Sequence, residues 1–351
     1  MRLLRLTAPM EFILLCYLLS YLPNLIATKL VTTLPQAGFE RALTGLEILP
    51  STLILNMLMT YAFIWWSGWH RESHAVMLGQ TRFPVPTIYT FISGIGTALV
   101  LCTVPLSYTL EGVSIPYIQL WMRGDILIIA PLVDLVFGRQ VRWWSWVALV
   151  MVASSLAFVI QRRGDLGLPP LAIVTIVLYT LGYFIRLWVM TKVSKSGDPA
   201  AIKKYFVEEK MLALPMAVVA LALLAASGLG TQSAELGSGF LDVWNQPAIF
   251  SLAFIALTLT VVSVFAAIIL LDARENTFCV PLERSTSLLA GIIASYLLAF
   301  GWGLSLPTTA EIIGATILIA AIVLLSVAPR WEARAAARRV SNPQKNKRSN
   351  P

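Results

Sequence analysis

Residues 111–159, EGVSIPYIQLWMRGDILIIAPLVDLVFGRQVRWWSWVALVMVASSLAFV, decide how the chain is read. They form a pattern of two apolar helices joined by a very tight turn. The first carries Arg123 and Asp125 about as deep as a membrane span can bury them, and the second is plainly apolar and entered through Arg139 and Arg142. Charge at that depth is costly in hydrocarbon, so the first helix is expected to line something wet. The layout returns in residues 275–325, ENTFCVPLERSTSLLAGIIASYLLAFGWGLSLPTTAEIIGATILIAAIVLL. A gap-free overlay sets Pro116 on Pro281, Gln119 on Arg284, Ala130 on Ser295 and Gly138 on Gly303; the repeat is one of layout more than of identity.

With 58% hydrophobic and 13% charged residues, a chain of 351 has too little polar surface to cover a soluble globule. Runs of about twenty apolar residues, each able to cross about 30 Å of hydrocarbon, recur along it and predict ten spans. The first run continues through Pro23, Asn24 and Lys29 without a small-residue cleavage site, and is expected to be a retained helix. Cys16, Cys102 and Cys279 all fall inside spans and are read as small apolar residues.

The formal charge of +8 follows topology. With the N-terminus in the cytoplasm, 18 of the 26 Lys and Arg fall on that side and 3 on the other. The positive-inside rule therefore predicts cytoplasmic N and C termini and leaves no need for a nucleic-acid partner. Five spans per half is an odd number, so the halves must be inverted. The expected fold is an all-α membrane protein of ten transmembrane helices in two inverted five-helix repeats. Residues 11–161 form the first repeat and 170–328 the second, with an external loop at 162–169 and a basic cytoplasmic loop at 192–205. Residues 1–10 and 329–351 are cytoplasmic tails, the latter a short basic helix on anionic headgroups and then a disordered end.

Along the chain, Tyr17, Tyr21, Asn24 and Thr28 share one face of the first span, and Lys29 near its outer end is offered Glu47 on the second as a partner. His70 and His74 lie in a solvated loop and lack the spacing and third ligand of a metal site, so no metal is expected. Ser93, Gly94, Gly96 and Thr97 mark a close helix approach on the third span. Arg186 is expected to snorkel to the interface, Glu208, Glu209 and Lys210 to sit solvated at the edge of span 7, and residues 228–246 to be a Gly/Ser-rich external loop.

On the fourth span Pro116, Gln119 and Arg123 fall on one stripe while Asp125 points away; on the ninth Pro281 and Arg284 share a face, with Glu283 about 100° from it. Two readings stand side by side. Arg123 with Glu283, or Arg284 with Asp125, closes a buried ion pair that only sets register, or the guanidinium groups bind a carboxylate or phosphate. On the second reading Arg123, Arg284, Gln119, Asn24 and Lys29 contact an anionic substrate, and Asp125, Glu283 and Glu47 couple to protons or balance charge.

Residues 133–150, VDLVFGRQVRWWSWVALV, and 297–325, LLAFGWGLSLPTTAEIIGATILIAAIVLL, resemble the helix–tight turn–helix that closes each half in the drug/metabolite transporter superfamily, EamA-like members included. YLPNLIATKL at 21–30 is similar to the nucleotide-sugar and triose-phosphate branch. The first half departs from the pattern at Arg139–Gln140, where an acidic residue is usual, and at Ala148–Leu149. The resemblance implies a secondary transporter of a small polar, anionic metabolite working by alternating access, without cofactor and multi-pass in a cell inner (plasma) membrane. Its partners are then the bilayer and a small-molecule substrate, with a homodimer left open. Two other classes remain. An intramembrane lipid-modifying enzyme lacks a nucleophile–base set here, so no enzyme is expected, and a scaffold or sensor on a transporter fold would use the arginines only structurally.

Overall fold

The computed structural model describes residues 10–78, 81–107, 115–124, 129, 132, 136, 143–163, 168–193, 198–228, 230–272 and 276–341. Its helices, in chain order, are α1 (Met10–Thr33), α2 (Gly45–Ser67), α3 (Ile88–Ser107), α4 (Ile115–Gly124), α5 (Trp143–Arg163), α6 (Pro170–Val193), α7 (Pro199–Ala226), α8 (Gly230–Leu241), α9 (Ile249–Leu270), α10 (Asn276–Trp302) and α11 (Thr309–Ser341). Among the described residues seven helices are long and apolar enough to cross a membrane: α1, α2, α3, α6, α7, α9 and most of α10. Shorter apolar stretches lie within α5 and α11. The protein is a multi-pass, predominantly α-helical membrane protein.

Side-chain chemistry sets the helix ends. Thr44 and Glu47 form a reciprocal capping box at the start of α2, and Thr308 with Glu311 does the same for α11. Asp198 caps α7 by accepting from the N–H of Ala200, with Pro199 at the first helical position. After α10 the chain turns through Gly303 at φ +71°, a left-handed backbone that suits glycine.

Helices α1 and α9 lie together, as do α3 and α6; α2 packs on α9, α7 on α3, α4 on α10, and α5 on α11. Glycine makes the α3–α6 contact. A Cβ on Gly96 would lie 2.5 Å from the carbonyl oxygen of Gly182, and one on Gly182 would lie 2.6 Å from that of Gly96, so the two backbones touch. The α1–α9 and α2–α9 contacts use amides. Asn24 Nδ2 donates to the Ile255 carbonyl and to Thr258 Oγ1, both at 3.0 Å, and Asn56 Nδ2 donates to Thr260 Oγ1 at 2.8 Å. With no water in hydrocarbon to take their place, such bonds keep polar side chains inside the bundle.

Several expectations are corrected. The loop after α2 is not simply solvated: Ala75–Leu78 and Thr81–Pro84 pair as an antiparallel hairpin, and His74 donates its backbone N–H to Glu208 at 3.0 Å with its Nδ1 2.8 Å from the same oxygen. Residues 230–241 form helix α8 because Ser233, Leu236 and Phe240 recur at helical spacing and pack against α2 and α7. Most of the basic segment between spans 6 and 7 is helical, since α7 starts at Pro199.

Two substitutions test this packing. Gly96→Val should separate α3 from α6 and lower the melting temperature in detergent by several degrees, equivalent to about 1–3 kcal/mol, read by differential scanning fluorimetry. Asn24→Leu should lose about 1–2 kcal/mol by the same measurement, having broken two interhelical bonds.

Candidate functional site

A cavity of about 90 Å³ lies between α1, α3, α6, α7, α9 and α10, room for a few water-sized groups. Its walls are mostly apolar, with Val100 and Leu101 on α3 and Val262 and Leu270 on α9. Polar groups enter on two sides. From α1 and α6 come the tyrosine pairs Tyr17–Tyr21 and Tyr179–Tyr183, with ring centroids 5.4 and 5.9 Å apart. Lining residues on α1 and α6, and on α3 and α9, are equally spaced in sequence: Tyr17 stands to Tyr179 as Tyr21 to Tyr183, Thr97 to Leu259 and Val100 to Val262.

The ionised groups form two clusters. In the first, Glu209 on α7 accepts from Arg186 Nε and Nη2 at 3.0 and 3.2 Å, from Ser93 and Thr97 at 2.8 and 2.7 Å, and from Tyr205 at 2.8 Å. It is fully buried, and the donors come from α3, α6 and its own helix. Lys210 follows it, 3% exposed and facing the cavity. A lysine so deep needs an anion near it, and Glu209 is that neighbour in sequence.

In the second cluster, Glu283 on α10 accepts from Tyr17 Oη at 2.5 Å. Its Oε2 lies 3.1 Å from Arg284 Nε. Neighbouring residues on a helix diverge by about 100°, so the pair is close in distance without the N–H being aligned on the oxygen. The Arg284 guanidinium instead lies over the Tyr183 ring, its Cζ 3.9 Å from the centroid, with Tyr179 at 5.5 Å. Arg284 is 2% exposed, and its Nε and Nη2 make no hydrogen bond to any described residue. Buried guanidinium N–H groups are normally satisfied, so this arrangement asks for an acceptor in the cavity.

Of the residues singled out from sequence, Arg284 and Glu283 line the cavity and Tyr17 meets them there. Asn24 is bonded to α9, and Lys29 is not among the cavity-lining residues. Glu47 closes a fork with Arg41 at 2.6 and 2.8 Å and caps α2. The side chains of Gln119 and Arg123, and Asp125 altogether, lie outside the described residues.

The expected positions of Arg186, Glu208, Glu209 and Lys210 are corrected. Arg186 is 7% exposed and bonded inward, and the other three are buried. The reason is the early start of α7. Ile202, Tyr205, Phe206 and Glu209 fall on one helical stripe, all buried, and carry the polar residues roughly 15 Å past the Asp198 cap. That stripe was present in the sequence beneath the lysines.

No family model and no curated protein matches the sequence. One solved structure, described only as "Crystal structure of protein", superposes with a TM-score of 0.54 at 15% identity, covering 92% of this chain and 97% of its own. That likeness extends over nearly the whole chain and concerns the fold alone.

Removing one partner of the buried pair should be severe. Glu209→Gln leaves Arg186 without its counter-charge and should destabilise by about 3–5 kcal/mol. The double variant Glu209→Leu/Arg186→Met should recover only part of that loss in the same thermal melt, because Lys210 and the Ser93, Thr97 and Tyr205 hydroxyls still lack the Glu209 carboxylate.

Proposed function

We propose that the protein is a secondary transporter that moves a small organic anion by alternating access, and that it is built of two inverted five-helix halves with both termini cytoplasmic. The packing supports the inverted halves. Taking α9 as the eighth span, span 1 lies on span 8 and span 6 on span 3, which are the same pair after exchanging halves. The equal spacing of cavity-lining residues on these helices follows the same exchange. The drug/metabolite transporter superfamily has this plan, and the sequence resemblance leads to the same reading.

Arg284 carries the functional reading. It is a buried guanidinium lining a cavity, with donors that no described residue satisfies. Among the described residues around the cavity three cations, Arg186, Lys210 and Arg284, stand against two carboxylates, Glu209 and Glu283, and this balance suits a substrate anion. Tyrosine faces and aliphatic walls accept an apolar body. Alternating access follows if the α1–α9 and α3–α6 contacts open in turn around this midplane site.

Benzoate, succinate, inorganic phosphate and glucose 6-phosphate, with glucose and choline as neutral and cationic controls, should be screened by thermal shift on the detergent-purified chain. At least one anion should stabilise the protein, by about 2.7 kcal/mol at a hundredfold excess over its Kd. Arg284→Gln should remove that shift while still folding. Stabilisation by glucose or choline alone, unchanged in Arg284→Gln, would sink the reading.

A further inference from the structure

Resting on that reading, we propose that Glu283 is the proton-coupling group. The anionic substrate takes the Arg284 guanidinium, the Glu283 carboxylate gives up its place beside Arg284, and it binds a proton from the water on the side to which the cavity is open. The proton and the anion then cross together and leave on the other side.

The geometry points to Glu283 because, among the described residues, it is the carboxylate that already sits against the group the substrate needs. Its Oε2 is 3.1 Å from Arg284 Nε, so a second carboxylate or a phosphate arriving at that guanidinium competes with it directly. Two anions sharing one cation in a buried site favour protonation of one of them. Tyr17 holds the other oxygen at 2.5 Å. A hydroxyl can donate to the carboxylate or accept from the carboxylic acid, so Tyr17 serves both states without moving. Glu209 is held differently. Five hydrogen bonds, two of them from Arg186, hold it as an anion in either state of the cavity.

Charge balance gives the same assignment. Without substrate, among the described residues Arg186, Lys210 and Arg284 stand against Glu209 and Glu283. With a monoanion bound and Glu283 protonated, the sum is unchanged. The loaded and empty carriers therefore cross the membrane field with equal charge, so a complete cycle moves no net charge and accumulation follows the pH gradient.

Among the described residues, the ionisable groups sharing the cavity with Glu283 are Tyr17 and Tyr21 of α1, Tyr179, Tyr183 and Arg186 of α6, Lys210 of α7 and Arg284 of α10. The cavity walls from α3 and α9 carry none. Helix α4, packed on α10, carries Tyr117 and has an arginine at position 123; Glu311 of α11 caps its own helix.

The test is proton uptake on binding. Benzoate, succinate and inorganic phosphate are each titrated into the detergent-purified full chain in weakly buffered solution, with a pH indicator and parallel calorimetry in buffers of different ionisation heat. About one proton should be taken up per anion bound. Glu283→Gln should bind the same anion with no uptake and, in proteoliposomes, should keep anion exchange while losing accumulation driven by a pH gradient. Glu283→Asp, which keeps the carboxyl, should retain uptake and serves if Glu283→Gln does not fold. Anion binding without proton uptake, or uptake that persists in Glu283→Gln, overturns the coupling role and leaves the transporter reading intact. Failure of every anion to bind overturns both.

Discussion

A carboxylate inside a bilayer must be surrounded by donors, and Glu209 obtains them from neighbouring helices. Ser93 and Thr97 come from α3, Arg186 from α6, and Tyr205 from one turn back on α7. Each donor would be left unsatisfied in hydrocarbon if its helix moved away, so the cluster fixes the spacing of three helices at once. The apolar wall of the cavity formed by Val100, Leu101 and Val104 inherits its position from this cluster, because these residues lie on the same helix as Ser93 and Thr97. Burying such a charge is expensive and stabilises little by itself. What it supplies is one arrangement in preference to its neighbours.

The two sides of the cavity solve the problem of buried polarity differently. On the α3–α6–α7 side an ion pair is saturated with hydroxyl donors. On the α1–α9–α10 side the amide of Asn24 joins two helices, and a tyrosine holds Glu283 while Arg284 lies against aromatic faces. Stacking a guanidinium on Tyr183 holds it in place through its π face and leaves its edge, where the N–H groups are, directed elsewhere. A cation held against a ring, with N–H groups that donate to no described residue, is suited to a ligand that must arrive and leave.

Much of this was legible in the chain. The periodic Tyr17, Tyr21, Asn24 and Thr28 are all buried on α1, and the adjacent pair Glu283 and Arg284 on α10 lies in the cavity. What sequence obscured was depth. Hydropathy begins α7 only after Lys210, because four lysine and glutamate positions between 203 and 209 dilute the average, whereas the Asp198–Pro199 cap begins it about twelve residues earlier. Arg186 looks interfacial in the sequence because its partner Glu209 lies on another helix and leaves no local signal. In α8 the glycines that suggest a loop conceal a helical stripe, and Gly239 is there because its backbone sits on the Glu47 carbonyl, where a Cβ would clash. Pairings such as His74 with Glu208 depend on residues far apart in the chain and have no local signal.

The glycine crossing has a bearing on size. With Gly96 and Gly182 in backbone contact, α3 and α6 are as close as two helices can come, and Thr97 and Arg186 stand within a turn of that contact. In this state the wall has nothing left to compress, and the Glu209 cluster holds it closed. A larger guest must therefore gain its room from α1, α9 and α10, where side chains separate the helices. The upper limit on what the cavity admits is set by one flank, and substitutions that enlarge or shrink residues such as Leu259 and Ala266 are the ones that should change it.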